Sequence, residues 1–257
     1  MPADPVPSAQ GHQAVDRALR VLWILREHPD ATVTRVAQEL GVHKSTASRL
    51  LAALLSQRLV DRAEDRGTYS LGFGLIQLAA GVTQRVDFSQ AAQLLCERTA
   101  RDLGLTANVA ILDEHHAVNI SQAVGGHGIM APRHYVGLRT PGHATSSGKV
   151  LLAHAPPAAV AALLDAGLTA HTRRTILDGP RLDAELRAVA ARGWAASDEE
   201  WEEGVTAVGV PLRRPGPDAP VEAALTVTAP VHDLPPGRFE EVAARLDELA
   251  AGSGLWR

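Results

Sequence analysis

The stretch "GVHKSTASRLLAALLSQRLV", residues 41–60, sets Ala47, Leu50, Leu51 and Leu54 at the i, i+3, i+4, i+7 spacing of a core-facing helix. Ser45 and Arg49 fall on the opposite side, with Lys44 and Ser48 on one flank and Thr46 on the other. Taken alone, this is any amphipathic helix with a solvated face. The flanking sequence adds to it. "ATVTRVAQEL" just upstream repeats the apolar spacing at Val33, Val36, Ala37 and Leu40, with Thr32 placed to cap its start. Gly41 sits between the two helices, where a left-handed backbone costs little.

Two short helices joined by such a turn form a helix-turn-helix. A further helix, "AVDRALRVLWILREH", precedes the pair, with Val15, Ala18, Leu22 and Leu25 as its stripe. "RLVDRAEDRGTYSLG" follows, with strand-like pieces around a turn cluster that read as a β-hairpin, or wing. In this arrangement the second helix enters a DNA major groove, its N-terminal residues at base edges and flanking donors on phosphate. The same module can also dock a protein partner.

Composition fits a soluble globular chain of one large or two small domains, 257 residues with a net charge of −4. The charge is uneven. Residues 13–72 hold nine Lys or Arg against seven Asp or Glu, a local +2, and the remainder carries −6. The one cysteine, Cys96, lies in an apolar helical run and reads as a buried structural thiol in a reducing cytoplasm. No run is long and apolar enough to span a membrane. The proline-rich start reads as a disordered tail rather than a signal peptide. The organisation expected is a tail at 1–12, a winged helix-turn-helix at 13–72, a linker helix at 73–88 and a second domain at 89–257. The linker's expected apolar face is Leu75, Leu78, Ala79 and Val82. The second domain mixes helices with strand patterns such as "TANVAILDEHHAVNISQAV", "VTAVGVPLRR" and "VEAALTVTAPV", which suggests an α+β fold with an antiparallel sheet.

"GHATSSGKVLLA", residues 142–153, concentrates the chemistry. As a phosphate loop it fails, because His143 stands where the first glycine belongs and Val150 where a hydroxyl is needed. Ser146 and Lys149 satisfy Ser-x-x-Lys, the nucleophile pair of some acyl-transfer enzymes, but no Ser-Asp-Asn or Lys-Thr-Gly segment assists them. Small hydroxyl residues at a helix start also form an anion cradle, and in the plainest reading Ser146 and Ser147 are caps and Gly148 a packing residue. Of the eleven histidines, His115, His116, His127, His134 and His143 invite a metal reading. None has metal-ligand spacing, and adjacent side chains on an extended backbone point apart. Solvent-exposed histidine is the expectation, and neither cofactor nor metal is implied.

With these segments in view, the chain resembles the IclR family of bacterial transcriptional regulators. "TVTRVAQELGVHKSTASRLLAALLSQRLVDRAEDRGTYSLG" is similar to that family's winged helix-turn-helix. "GHATSSGKVLLA" and "RGWAASDEEWEEGVTAVGVPL" are similar to the signature segments of its effector domain. The resemblance implies a GAF-like effector-binding domain, no catalytic activity, and dimers or tetramers on a palindromic double-stranded operator in the cytoplasm, with repression as the expected output. It implies His43, Lys44, Ser45, Thr46, Ser48 and Arg49 as DNA contacts, with Arg62 and Arg66 in the wing. A pocket for a small organic, carboxylic acid would be lined by Ile129, Met130, Ser146, Ser147, Ser197, Asp198, Ala207, Thr226 and Thr228. Some relatives have a polar side chain where Ala207 stands, which implies a roomier, less polar site here and favours a larger, aromatic acid. Two other readings stay open: a Ser/Lys hydrolase with an accessory winged-helix domain, and an effector-binding scaffold whose front domain docks a protein.

Overall fold

The computed structural model describes residues 9–63, 66–83, 87–126, 136–216, 219–254 and 256. The chain divides into two compact units between Val86 and Asp87. In the first, helix α1 (Ala9–Glu27) begins inside the stretch expected to be a tail. Its buried stripe is Val21 and Leu25 with Ala18 and Leu22 beside them. Val15, expected in the core, is 60% exposed. The core of α1 keeps the i, i+3, i+4, i+7 spacing but starts one turn later, because only the later turns have neighbours to pack against.

Strand β1 (Ala31–Thr32) leads into α2 (Val33–Leu40), whose first turn is capped by the Thr32 hydroxyl accepting from Arg35 N–H at 3.3 Å. The helix ends at Gly41 with φ +64°. There the N–H groups of Gly41 and Val42 close back on the carbonyls of Gln38 and Ala37, satisfying acceptors that a helix end leaves orphaned. Helix α3 (Lys44–Ser56) starts after Val42 and His43. Its Ala47, Leu51 and Leu54 pack on Val36, Ala37 and Leu40 of α2 within one core that also holds Val60 and Tyr69. Strands β2 (Val60–Arg62) and β3 (Thr68–Leu71) form the wing, and β1 joins β3 to make an antiparallel sheet ordered β1-β3-β2. Helix α4 (Gly74–Thr83) follows. Of its expected inward face, Leu78 and Ala79 are exposed and Leu75 is half-buried, so the apolar spacing is real but nothing among the described residues of this unit covers it. The Val82 side chain lies outside the described residues.

The second unit is built on a six-stranded antiparallel sheet of order β6-β5-β4-β9-β8-β7. The strands are β4 (Thr106–Asp113), β5 (His116–Ala123), β6 (Arg139–Pro141), β7 (Ala195–Asp198), β8 (Val205–Arg213) and β9 (Val221–Pro230). The β4–β5 turn falls where the sequence places it, with Glu114 at φ +56°. Strand alternation separates the two faces. Leu225, Val227, Val208, Val210 and Val109 share one core with residues of α5 (Asp87–Leu103) and α9 (Phe239–Ala251). On the other face, Ala110 and Ala224 pack on Val150 and Leu151 of α6 (Ser146–Ala153). Beyond α6 lie α7 (Pro157–Ala166) and α8 (Gly179–Arg192). Cys96 is buried in the α5 face, and burial pushes its thiol up to about 12, as suits a structural cysteine. Among the described residues no helix is long and apolar enough to cross a membrane.

Candidate functional site

The polar side of α3 is uncovered. His43, Lys44, Ser45, Ser48 and Arg49 are exposed and Thr46 is half-buried, while Ala47 directly behind them is fully buried. His43 also caps the helix. Its Nδ1 accepts from Ser45 N–H at 3.4 Å and lies 3.0 Å from the Ser45 hydroxyl. The Arg49 guanidinium folds back to donate to the Ser45 carbonyl at 3.3 Å. In the wing, Arg62 and Arg66 are exposed, and the Arg62 guanidinium stands 5.8 Å from the centre of the Tyr69 ring.

In the second unit, the first turn of α6 stands over β8 and β9, and a cavity of about 40 Å³ opens there. The close approach depends on glycine. A Cβ at Gly209 would lie 2.6 Å from Thr226 Cγ2, so glycine makes room for that side chain on the neighbouring strand, while Ser146 Oγ at 3.5 Å would be in ordinary contact. A Cβ at Gly148 would lie 2.4 Å from the Cα of Gly142, which fixes Gly148 as a packing residue against the turn before α6. Thr145, not Ser146 or Ser147, is the helix cap, its hydroxyl accepting from Gly148 N–H at 3.2 Å and donating to the Pro141 carbonyl at 2.9 Å. Ser146 and Ser147 are therefore left facing the cavity, together with Ser197, Ala207, Thr226 and Thr228.

Two expected lining residues, Ile129 and Met130, lie outside the described residues. Asp198 is a correction. Its strand neighbour Ser197 faces the cavity, so strand alternation turns Asp198 to the other side, where it pairs with Arg174. The lining that sequence reasoning missed is polar: Asn108, Asn119, Thr140, Thr206 and Glu202, with Trp201 beside them. Polar side chains thus surround Ala207, which itself presents only a methyl group.

The acidic segment after β7 is held by a buried ion pair. Lys149 Nζ donates to Glu200 Oε1 at 2.7 Å, with Glu185 Oε1 3.9 Å away, and the lysine side chain is 2% exposed. Burial pushes the Glu200 carboxyl up, while the adjacent ammonium pulls it back. Two hydroxyls outside the sequence expectations add to this. Thr172 donates to the Glu199 carbonyl at 2.7 Å and Thr175 to the Glu200 carbonyl at 2.6 Å. Lys149 faces a different cavity from Ser146, one of about 800 Å³ shared with Arg181, Arg192 and Glu200. A lysine neutralised by a carboxylate and turned away from the serine cannot serve as its base. The Ser/Lys hydrolase reading ends on that geometry.

The histidines divide. His143 is 2% exposed, against the expectation of exposure, and its Nε2 donates to the Thr169 carbonyl at 3.0 Å. Burial holds its imidazole below the usual range. His115 and His116 do not point apart. Their ring centres are 4.3 Å from each other because the pair begins in the turn rather than on extended strand, and their donor atoms lie within 4.8 Å of a Glu114 carboxylate oxygen. Arg139 already occupies that corner, donating to Glu114 at 3.1 Å and lying 3.3 Å from His116 Nδ1. His127 and His134 lie outside the described residues.

A helix-turn-helix with an uncovered polar recognition face, followed by an α+β unit enclosing a polar cavity, defines a DNA-binding transcriptional regulator with an effector domain. Comparison with known proteins gives the same class. Residues 14–64 match the model of the IclR helix-turn-helix domain, and residues 80–252 that of the bacterial transcriptional regulator IclR C-terminal domain. The chain belongs to the IclR family. It is 32% identical to the transcriptional regulator XynR of Escherichia coli K12, over 89% of this chain and 92% of that protein. It is 27% identical to the transcriptional repressor IclR of the same organism, over 97% and 92%. Among solved structures it is similar to an IclR regulator from Alicyclobacillus acidocaldarius, with 28% identity, a TM-score of 0.79, and 94% and 97% of the two chains covered. A homologue from Microbacterium hydrocarbonoxydans, solved with 4-hydroxybenzoate, gives 25% identity, a TM-score of 0.81 and the same coverage. These relatives are regulators rather than enzymes, and so is this chain.

Proposed function

We propose that this regulator is a cytoplasmic repressor that binds a palindromic operator as a dimer, or as a pair of dimers, and responds to a small carboxylic acid held under the first turn of α6. The observation that carries the DNA reading is the α3 surface. Lys44, Ser45, Ser48 and Arg49 project outward from a helix anchored by Ala47, Leu51 and Leu54. His43, Thr46, Arg62 and Arg66 complete the contact set. The repressor sense rests on relatives named as repressors, among them the acetate operon repressor of Salmonella typhimurium, 27% identical over 96% of this chain. The acid reading rests on the helix start at Ser146 and Ser147, whose first-turn N–H groups favour an anion, and on the relative that holds 4-hydroxybenzoate. A ligand shifts the DNA-binding equilibrium by no more than its differential affinity for the two states.

The test is a gel-shift titration on DNA from the gene's own promoter region. Arg49→Ala is expected to weaken binding by about tenfold or more and to reduce the slope of log affinity against log salt by about one, for one lost phosphate contact. Ligand affinity stays at the parent value. Unchanged DNA affinity in the variant overturns the assignment of α3 as the reading head, and equal affinity for all DNA favours a protein-docking front domain.

A further inference from the structure

We propose that His43 and Ser45 form a donor–acceptor pair of fixed sense that reads adenine in the major groove, His43 donating to N7 and Ser45 accepting from the N6 amine. The inference rests on the reading of α3 as the DNA-reading head and specifies the base edge that its first residues take.

A serine or threonine hydroxyl normally serves either sense, because it can both donate and accept. Ser45 is different, because its neighbour fixes its proton. His43 is the N-cap of α3, with extended backbone at φ −67° and ψ 146°, and its ring does the work that a serine or aspartate side chain usually does there. Its Nδ1 lies 3.4 Å from the Ser45 backbone nitrogen, whose N–H can only donate. Nδ1 therefore carries a lone pair, and the proton of the neutral ring sits on Nε2. The outer edge of His43 is thus a donor. The Ser45 hydroxyl lies 3.0 Å from the same Nδ1, and since that nitrogen has no proton, the hydroxyl is the donor of the pair. Its proton is spent, so the exposed Ser45 Oγ faces outward as an acceptor. Lys44 and Arg49 beside it only donate.

Position and spacing turn this polarity into a base preference. The N-terminal residues of the second helix of a helix-turn-helix reach base edges, and His43 and Ser45 are the cap and the second helical residue of α3. Both are exposed, while Ala47, Leu51 and Leu54 anchor the helix from behind. Because the two side chains touch, they meet neighbouring groups on the groove floor. Guanine presents two acceptors there, thymine an acceptor and a methyl group, and cytosine one donor. Adenine alone sets an acceptor, N7, beside a donor, the N6 amine. Guanine would satisfy His43 but hold its second acceptor against a Ser45 oxygen that has no proton to give.

The test begins with selection of bound duplexes from a random DNA pool by the full-length protein and by His43→Ser. Serine is itself a strong N-cap, so the variant should melt near the parent's temperature while it loses the donor. An A·T pair is expected at the half-site position whose preference disappears in His43→Ser. Base analogues at that position then separate the two contacts. 7-Deazaadenine, which lacks the N7 acceptor, should weaken the parent about tenfold or more and leave His43→Ser at its own level. Unsubstituted purine, which lacks the N6 amine, should weaken the parent similarly and spare Ser45→Ala. Imidazole nitrogen-15 shifts of the free protein should report the Nε2–H tautomer for His43. A G·C pair at that position, an analogue that acts equally on the parent and on its matched variant, or an Nδ1–H tautomer overturns this proposal alone. A pool that yields no preferred sequence overturns the reading of α3 as a DNA-reading head as well.

Discussion

A lysine ammonium taken out of water costs several kcal/mol unless a carboxylate and further donors or acceptors replace its hydration. Lys149 meets that condition through Glu200 at 2.7 Å and Glu185 at 3.9 Å, so its role is to tie α6 to the segment that carries Trp201 and Glu202 into the cavity. The same residue explains why the Ser-x-x-Lys spacing misleads. Residues three apart on a helix are neighbours in projection, yet here they point into different cavities. Lys149→Ala should lower unfolding stability by about 3–5 kcal/mol, because it leaves Glu200 buried without its partner. Lys149→Met combined with Glu200→Gln should recover most of that loss in a urea titration. Equal destabilisation by the single and double variants would show that packing of the lysine stem, not its charge, holds the segment.

At the scale of elements, periodicity was enough wherever a helix or strand ran long enough to display it. The spacing and end signals of "ATVTRVAQELGVHKSTASRLLAALLSQ" give both helices of the reading head, and Thr32 and Gly41 cap them as their chemistry requires. Of the strands of two or three residues, β1 and β6 show no period and were not legible, whereas β2 was found from the turn cluster that follows it. The cavity was legible only in part, for a related reason. Ser146 and Ser147 announce themselves by clustering at a helix start, whereas Asn108 and Asn119 reach the cavity only through strand register, which no local pattern encodes. Asp198 was misplaced because adjacent strand residues face opposite sides. Periodicity also gives no partner for a face, as α1 makes plain. Val15, Leu19 and Trp23, one turn apart, are 60, 53 and 57% exposed, and Phe73, Ile76 and Leu78 around α4 are exposed as well. An apolar face of this extent on a DNA-binding unit supports self-association. Leu19→Arg with Trp23→Glu should therefore shift sedimentation toward the monomer, while the melting temperature of the monomer stays close to the parent's because exposed positions contribute little. A sedimentation coefficient equal to the parent's would mean that this face makes no contact between copies.

Across the whole molecule, charge and burial combine into a pH response of defined sign. The body carries the acidic excess; burial pushes the Glu200 and Asp247 carboxyls up, which favours the folded state as pH falls, and the histidines act against them. His143, His116 and His154 all have imidazoles held below the ordinary value of about 6.5, in each case chiefly by burial. For His143 the Thr169 carbonyl opposes that shift, and His171, Lys149 and His115 reinforce it. A group with a depressed folded-state pKa takes up its proton more readily in the unfolded chain, so unfolding binds protons between the two values. The stabilisation is therefore complete above 6.5 and is lost as pH falls from 6.5 through the folded-state values. The melting temperature should fall steadily from pH 7 to pH 5.5 in buffers of matched ionic strength. His143→Gln removes the titrating ring from the most deeply buried of these sites and keeps an N–H that can reach the Thr169 carbonyl. It should flatten the slope even where it lowers the melting temperature at pH 7. A slope as steep in His143→Gln as in the parent would assign the response to His116 or His154, and would mean that His143 has the same proton affinity folded and unfolded.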